Sequence, residues 1–179
     1  QTNMEGNCSH VIGQMTRLRQ LLLENPTVVK VLEIGFNAGH SAELFLKVRP
    51  DIQVTSFDIG DHDYVQIGKS YIDSTFPNRH TLILGDSAKT VPKYIQEQGS
   101  AFDLIFIDGC HEYEAAKKDL MNCKDLSHPN TILVLDDTII NPNYICQWNQ
   151  GPNTAWRQCV ENMLIEHTNG EDYGMGRGM

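Results

Sequence analysis

Five short runs rich in β-branched and aromatic residues recur along the chain, each followed by a stretch whose apolar residues repeat at helical spacing. The first, Val28-Val29-Lys30-Val31-Leu32-Glu33-Ile34, is apolar at almost every position and ends in glycine. A strand with one wet face alternates polar and apolar residues, so a nearly continuous run belongs to a strand covered on both faces. The others are Gln53–Asp58, Thr81–Leu84, Phe102–Asp108 and Thr131–Asp136. Helices are predicted near His40–Lys47, Tyr64–Ser74, Ala88–Gln96, Tyr113–Asn122 and Thr154–His167. A leading amphipathic helix is expected over Ser9–Leu23, with Ser9 as N-cap and Val11, Ile12, Met15, Leu18 and Leu22 on one face. Repeated β-then-α units close through right-handed crossovers, so the chain is expected to be an α/β protein with a doubly wound, mainly parallel sheet and helices on both faces. The tail from Asn169 to Met179 is glycine-rich and suits either a loop entering a hairpin or a flexible end.

Charge and cysteine content narrow the function classes. A net charge of -9, with Lys and Arg scattered along the chain, disfavours a nucleic-acid partner. No segment approaches the ~18 continuous apolar residues of a membrane helix, so no membrane association is expected, and the polar start lacks the pattern of a secretory signal. Five cysteines (Cys8, Cys110, Cys123, Cys146, Cys159) form no C-x-x-C pair, which fits reduced thiols and a cytoplasmic setting.

In open parallel sheets ligands bind beyond the carboxyl ends of the strands, and four of the five strands here end in or meet a carboxylate. After the first strand comes Glu33-Ile34-Gly35-Phe36-Asn37-Ala38-Gly39-His40-Ser41. Its glycine spacing is G-x-x-x-G, and Asn37 occupies the place where a dinucleotide fingerprint needs glycine, which argues against a nicotinamide enzyme. Asp58 ends the second strand, where a carboxylate can accept both hydroxyls of a ribose. Gly85-Asp86-Ser87 opens a helix, and there an adenine contact competes with plain helix capping. Past the fourth strand stand Asp108-Gly109-Cys110-His111-Glu112-Tyr113, and past the fifth Asp136-Asp137. Three ionised carboxylates on one rim repel each other unless a cation sits between them, and oxygen ligands suit a hard divalent ion such as Mg²⁺. The plainer readings are a cap and a solvated acid for Asp136 and Asp137, and a helix cap or a bond to Glu112 or Glu114 for His111. Cys110 lies beside this rim, but only His111 is near it in sequence to activate a thiol. The Asp61-His62-Asp63 triplet reads as a solvated turn. Trp148, Trp156 and Tyr144 suit either a substrate wall or ordinary packing.

Taken in order, E-x-G-x-x-x-G-x-S, an acid after the second strand and G-D-S after the third resemble the S-adenosylmethionine-dependent class I methyltransferases, over roughly Val28 to Asp137. That resemblance implies a cofactor site of Glu33, Gly35, Phe36, Asn37, Gly39 and Ser41 around the methionine portion, Asp58 at the ribose, Asp86 and Ser87 at the adenine, with Asp108 alongside. The distal motifs are similar to the catechol O-methyltransferase type, and the D-G-x-H-x-Y form resembles more closely a branch of small O-methyltransferase-like domains. The implied metal ligands are Asp108, Asp136 and Asp137, and the implied catalytic residues are Asp108 and His111, with His111 as base. The expected acceptor is a small hydroxylated molecule: a sugar, a phenol or a natural product. A single domain over 1–179 is expected, with a leading helix (1–26), a cofactor-binding core (27–137) and a substrate-side segment with the last helix and tail (138–179). The leading helix suits burial against its own sheet or against a second copy of the chain in a homodimer. A non-catalytic module that binds S-adenosylmethionine or another nucleoside is the competing reading.

Overall fold

The computed structural model describes residues 11–140, 147–174 and 177–179. Its elements run α1 Ile12–Glu24, β1 Lys30–Ile34, α2 His40–Val48, β2 Gln53–Asp58, α3 Asp63–Thr75, β3 His80–Leu84, α4 Ser87–Glu97, β4 Phe102–Ile107, α5 Tyr113–Lys124, β5 Ser127–Leu135, α6 Gln150–Glu161, β6 Asp172–Gly174 and β7 Arg177–Gly178. The first five strands form one parallel sheet in the order β3-β2-β1-β4-β5. The order reverses between β1 and β4, and the crevice above that point is where such sheets hold ligands.

The period of two along each strand divides the core into two layers. Val31, Val54, Leu104, Phe106 and Val134 face one way, into a cluster with Leu18, Leu22, Phe45, Leu46 and Ile72 from α1, α2 and α3. Leu32, Ile34, Phe57, Ile105, Ile107 and Leu135 face the other way, against Val91, Leu120, Cys123, Ala155 and Cys159 from α4, α5 and α6. The continuous apolar strands are therefore covered on both faces, as their sequences require.

The leading helix belongs to this core. Leu18 and Leu22 are fully buried in it, whereas Ile12 is exposed. The helix starts after Val11, and Ser9, the expected N-cap, lies outside the described residues. Cys8, Cys146 and Tyr144 also lie outside them. Among the described residues, no helix is long and apolar enough to cross a membrane.

Two elements differ from the sequence expectation, and the tail takes one of the two forms left open for it. The last helix covers Gln150–Glu161 instead of Thr154–His167. Pro152 falls in its first turn, where a missing N–H costs nothing, and Met163, at φ 55°, ends it. Strand β5 begins at Ser127 and not at Thr131, because a register shift opposite Phe102 and Leu104 absorbs the polar residues before Ile132. The tail forms an antiparallel pair, with Asp172 opposite Gly178 and Gly174 opposite Arg177, separate from the main sheet.

Candidate active site

Backbone bonding continues one residue past β1, β3, β4 and β5 and sets these exits level. Gly85 N–H donates to Asp58 O, Gly35 N–H to Phe57 O, Asp108 N–H to Ile34 O and Asp136 N–H to Ile107 O, at 2.8, 2.8, 2.8 and 2.9 Å. Gly35, Asp108 and Asp136 thus stand side by side at the point where strand order reverses. Gly35 adopts φ 98°, and a Cβ there would lie 1.9 Å from the Asp108 carbonyl oxygen, so only glycine lets β1 and β4 come this close. Gly39 takes φ 85° and closes the β1–α2 turn by donating to Phe36 O at 2.8 Å.

A cavity of about 470 Å³ opens above these exits. It is lined by Gly35, Phe36, Asn37 and Ser41 from the first exit, Asp108 and His111 from the fourth, and Asp136 and Asp137 from the fifth. Trp148 and Arg177 complete the wall from later in the chain. Trp156 is elsewhere: its indole N–H donates to His167 Nδ1 at 3.2 Å, and it lines a second cavity of about 420 Å³ beside β5. Exposed Cys110 is at the rim of the first cavity.

Several expected cofactor residues do not line the cavity. Glu33 is fully buried beneath it, accepting from Ser41 Oγ and, at 2.6 Å, from Ser56 Oγ. Burial pushes its carboxyl up to about 7, against the opposing pull of these two hydroxyls. Ser56 Oγ also lies 3.0 Å from His80 Nε2, and the His80 ring stacks on Phe36 at 5.0 Å. Burial, reinforced by the Lys69 charge, lowers His80 to about 4. Asp58 joins two loops, accepting from Asn37 N–H and from Gly60 N–H, each at 2.8 Å. One lone pair on each oxygen stays available, and Asp58 is one hydrogen bond from the cavity wall at Asn37. Asp86 caps α4 by accepting from Ala88 N–H at 3.0 Å. That bond is the helix cap the sequence offered beside an adenine contact.

The acids converge as the strand ends require. One oxygen each of Asp108 and Asp137 and a ring nitrogen of His111 lie within 4.8 Å of one another, the one such group among the described residues. His111 Nε2 is 3.3 Å from Asp137 Oδ2. Asp137 Oδ1 is buried without a hydrogen-bond partner, and its backbone sits at φ 53°, a left-handed conformation uncommon for aspartate. Asp136 stands behind the group with both oxygens committed: Oδ1 accepts from Asp137 N–H at 2.8 Å and Oδ2 from the Gln14 amide. Burial is the main cause raising all three carboxyls. Repulsion from Asp136, Asp137 and Glu33 adds to it at Asp108, and repulsion from Asp137 at Asp136. The Arg177 charge works the other way on all three.

Gln14 and Arg177 were not legible as site residues in the sequence. Gln14 is 2% exposed on a helix whose other inward residues are apolar, and a polar residue at a core position of α1 was the available signal. Arg177 arrives because the hairpin docks twice. Glu171 binds Arg17 of α1 at 2.9 Å, and Thr138 N–H donates to Gly178 O at 3.0 Å, one residue past Asp137.

A parallel β3-β2-β1-β4-β5 sheet, with its cavity at the reversal point and acids on the fourth and fifth exits, is the Rossmann-like fold of the class I methyltransferases. The chain belongs to the methyltransferase domain family, whose profile matches residues 32–138. Among solved structures, a TDP-rhamnose 3'-O-methyltransferase of calicheamicin biosynthesis is 24% identical at a TM-score of 0.65, covering 82% of this chain and 70% of that one. The O-methyltransferase from Bacillus cereus, in complex with SAH, is 18% identical at a TM-score of 0.70, covering 89% of this chain and 72% of that one. The O-methyltransferase TomG from Streptomyces achromogenes, involved in tomaymycin synthesis and solved with SAM, is 16% identical at 0.70, covering 89% and 71%. At these identities the likeness is one of fold. No curated protein matches the sequence.

Proposed function

We propose that this chain is an S-adenosylmethionine-dependent methyltransferase acting on a hydroxyl oxygen of a small molecule, with a divalent cation such as Mg²⁺ at Asp108 and Asp137. The observation that carries this reading is the meeting of Asp108, Asp137 and His111 on the wall of a 470 Å³ cavity at the sheet's reversal point. The unpartnered Asp137 Oδ1 and the crowding of carboxylates fit a cation. A bound divalent ion lowers the pKa of a coordinated hydroxyl, and the sulfonium cofactor carries the methyl group already activated. The residues then divide the work. Asp108 and Asp137 orient the acceptor oxygen, and Asp136 is held behind them by Gln14. His111, at the mouth with Nε2 3.3 Å from Asp137 Oδ2, takes the hydroxyl proton. Phe36 and Trp148 wall the cavity and limit the entry of water. The first-exit loop holds the methionine portion of the cofactor, and Asp58, behind Asn37, receives the ribose hydroxyls.

Calorimetric titration with S-adenosylhomocysteine, with and without Mg²⁺, tests this. The wild type and an Asp108→Asn/Asp137→Asn double variant should bind it, and Asp58→Ala should bind it at least about tenfold more weakly. Folded wild type that fails to bind overturns the reading. In methyl transfer, His111→Ala should lose about 10²–10⁴ in rate and keep a measurable remainder.

A further inference from the structure

Arg177 is the one arginine or lysine among the residues that line the candidate site. Its guanidinium carries five donors in a rigid fork, yet among the described residues it makes no hydrogen bond and no ion pair within 4.0 Å. The neighbouring acids are served by other groups, Asp136 by Gln14 and the Asp137 N–H, and Asp137 by His111. Arg177 is thus not their contact partner, although all three feel its charge. It is half-buried and fixed in place by the paired β6–β7 backbone and the Thr138–Gly178 bond. A charged fork, partly desolvated and held without a partner, has its most favourable complement in a planar or tetrahedral oxyanion.

We infer that Arg177 is a specificity residue that binds an oxyanion, a carboxylate or a phosphate, carried by the acceptor whose hydroxyl faces Asp108, His111 and Asp137. This rests on the reading of the cavity as a methyl-acceptor site. The rest of the wall explains why one cation is decisive. Asp108, Glu112, Asp136 and Asp137 disfavour an anion along the fourth and fifth exits, so an anionic acceptor places its charge on Arg177 and its hydroxyl toward those acids. Sequence-distant β7 thereby selects the substrate for chemistry done at the exits of β4 and β5.

The test titrates inorganic phosphate and malonate separately into wild type, Arg177→Gln and Arg177→Lys, each without and with S-adenosylhomocysteine, following the Gly178 amide by NMR. Wild type should bind at least one probe, Arg177→Gln about tenfold or more weakly, and Arg177→Lys in between, because it keeps the charge and loses the fork. The stronger of the two probes identifies the anion class. Failure of both probes to bind wild type, or equal binding by Arg177→Gln, overturns the inference. So does a loss of S-adenosylhomocysteine affinity in Arg177→Gln, which would place the arginine on the cofactor's own carboxylate. Wild type that binds a probe but not S-adenosylhomocysteine overturns the methyltransferase reading and leaves the anion site standing.

Discussion

Glu33 and His80 occupy the two ends of one buried path through Ser56, and burial drives their protonation in opposite senses. Glu33 rises from 4.5 to about 7, so between those values the folded chain keeps a proton that the unfolded chain has lost, and stability falls as pH rises across that window. His80 drops from 6.5 to about 4, so there the unfolded chain holds the extra proton and stability climbs with pH across 4 to 6.5. Each term is worth roughly 3 kcal/mol, and over most of the range they cancel. Glu33→Gln removes one of them while keeping an amide in reach of Ser41 and Ser56. Urea unfolding across pH should show the variant more stable than wild type by roughly 1–3 kcal/mol above pH 7 and level with it near pH 4. A variant less stable at pH 8 would mean that the fold prefers Glu33 ionised. Glu33 was visible in the sequence as part of a loop motif, but its placement beneath the cavity was not, because it depends on Ser56 arriving from the next strand. Asp108, Asp137 and His111 were legible because each follows its strand directly, so strand order alone brings them together.

Helix α6 shows how one element fixes another at the site. Its Gly151 packs so tightly on the loop after β4 that a Cβ would lie 2.1 Å from His111 O and 2.7 Å from Tyr113 N. Lower on the same helix Gln158 accepts from the Tyr113 hydroxyl at 2.5 Å. The two contacts clamp the segment that carries His111 between β4 and α6. Both atoms that the Cβ would meet belong to the backbone, which cannot swing aside, so Gly151→Ala must separate the helix from the loop. Thermal unfolding should show a loss of about 2 kcal/mol or more, in the range of overpacking, whereas Gly174→Ala, with open space around it, should lose only what its positive φ costs. A Gly151→Ala chain as stable as wild type would mean that this interface yields. Periodicity located the β-α alternation because the central elements are long and covered on both faces. It misplaced α6, whose first turn contains Gly151 and Pro152, residues that read locally as a loop and are tolerated only because they begin a helix against a neighbour. The β6–β7 pair was left undecided for the same reason, since its order comes from Arg17 and Thr138 far away in sequence.

Over the whole molecule, a formal charge of -9 is spread mostly over solvated side chains, where salt screens it. The largest cluster set apart from them is the row of Asp108, Asp136 and Asp137, where burial and repulsion between the carboxylates oppose ionisation and screening is weak. A cation that binds only the folded chain must therefore stabilise the whole fold, by about 2.7 kcal/mol at a hundred times its dissociation constant. For a chain of this size that is a rise in Tm of about 5–10 °C. The stronghold of this effect separates two ligand sets. If the ion is held by Asp108 and Asp137, Asp108→Asn/Asp137→Asn should abolish the Mg²⁺ shift and raise the Tm of the metal-free chain by relieving repulsion. Asp136→Asn should keep most of the shift, because an asparagine at that position still accepts from the Asp137 N–H through Oδ1 while Gln14 turns its amide to accept from Nδ2. If Asp136→Asn abolishes the shift as completely as the double variant does, the ion sits on the Asp108, Asp136, Asp137 set that the motif alone suggests. Gln14 must then release Asp136 when metal binds, and the leading helix becomes part of the metal response.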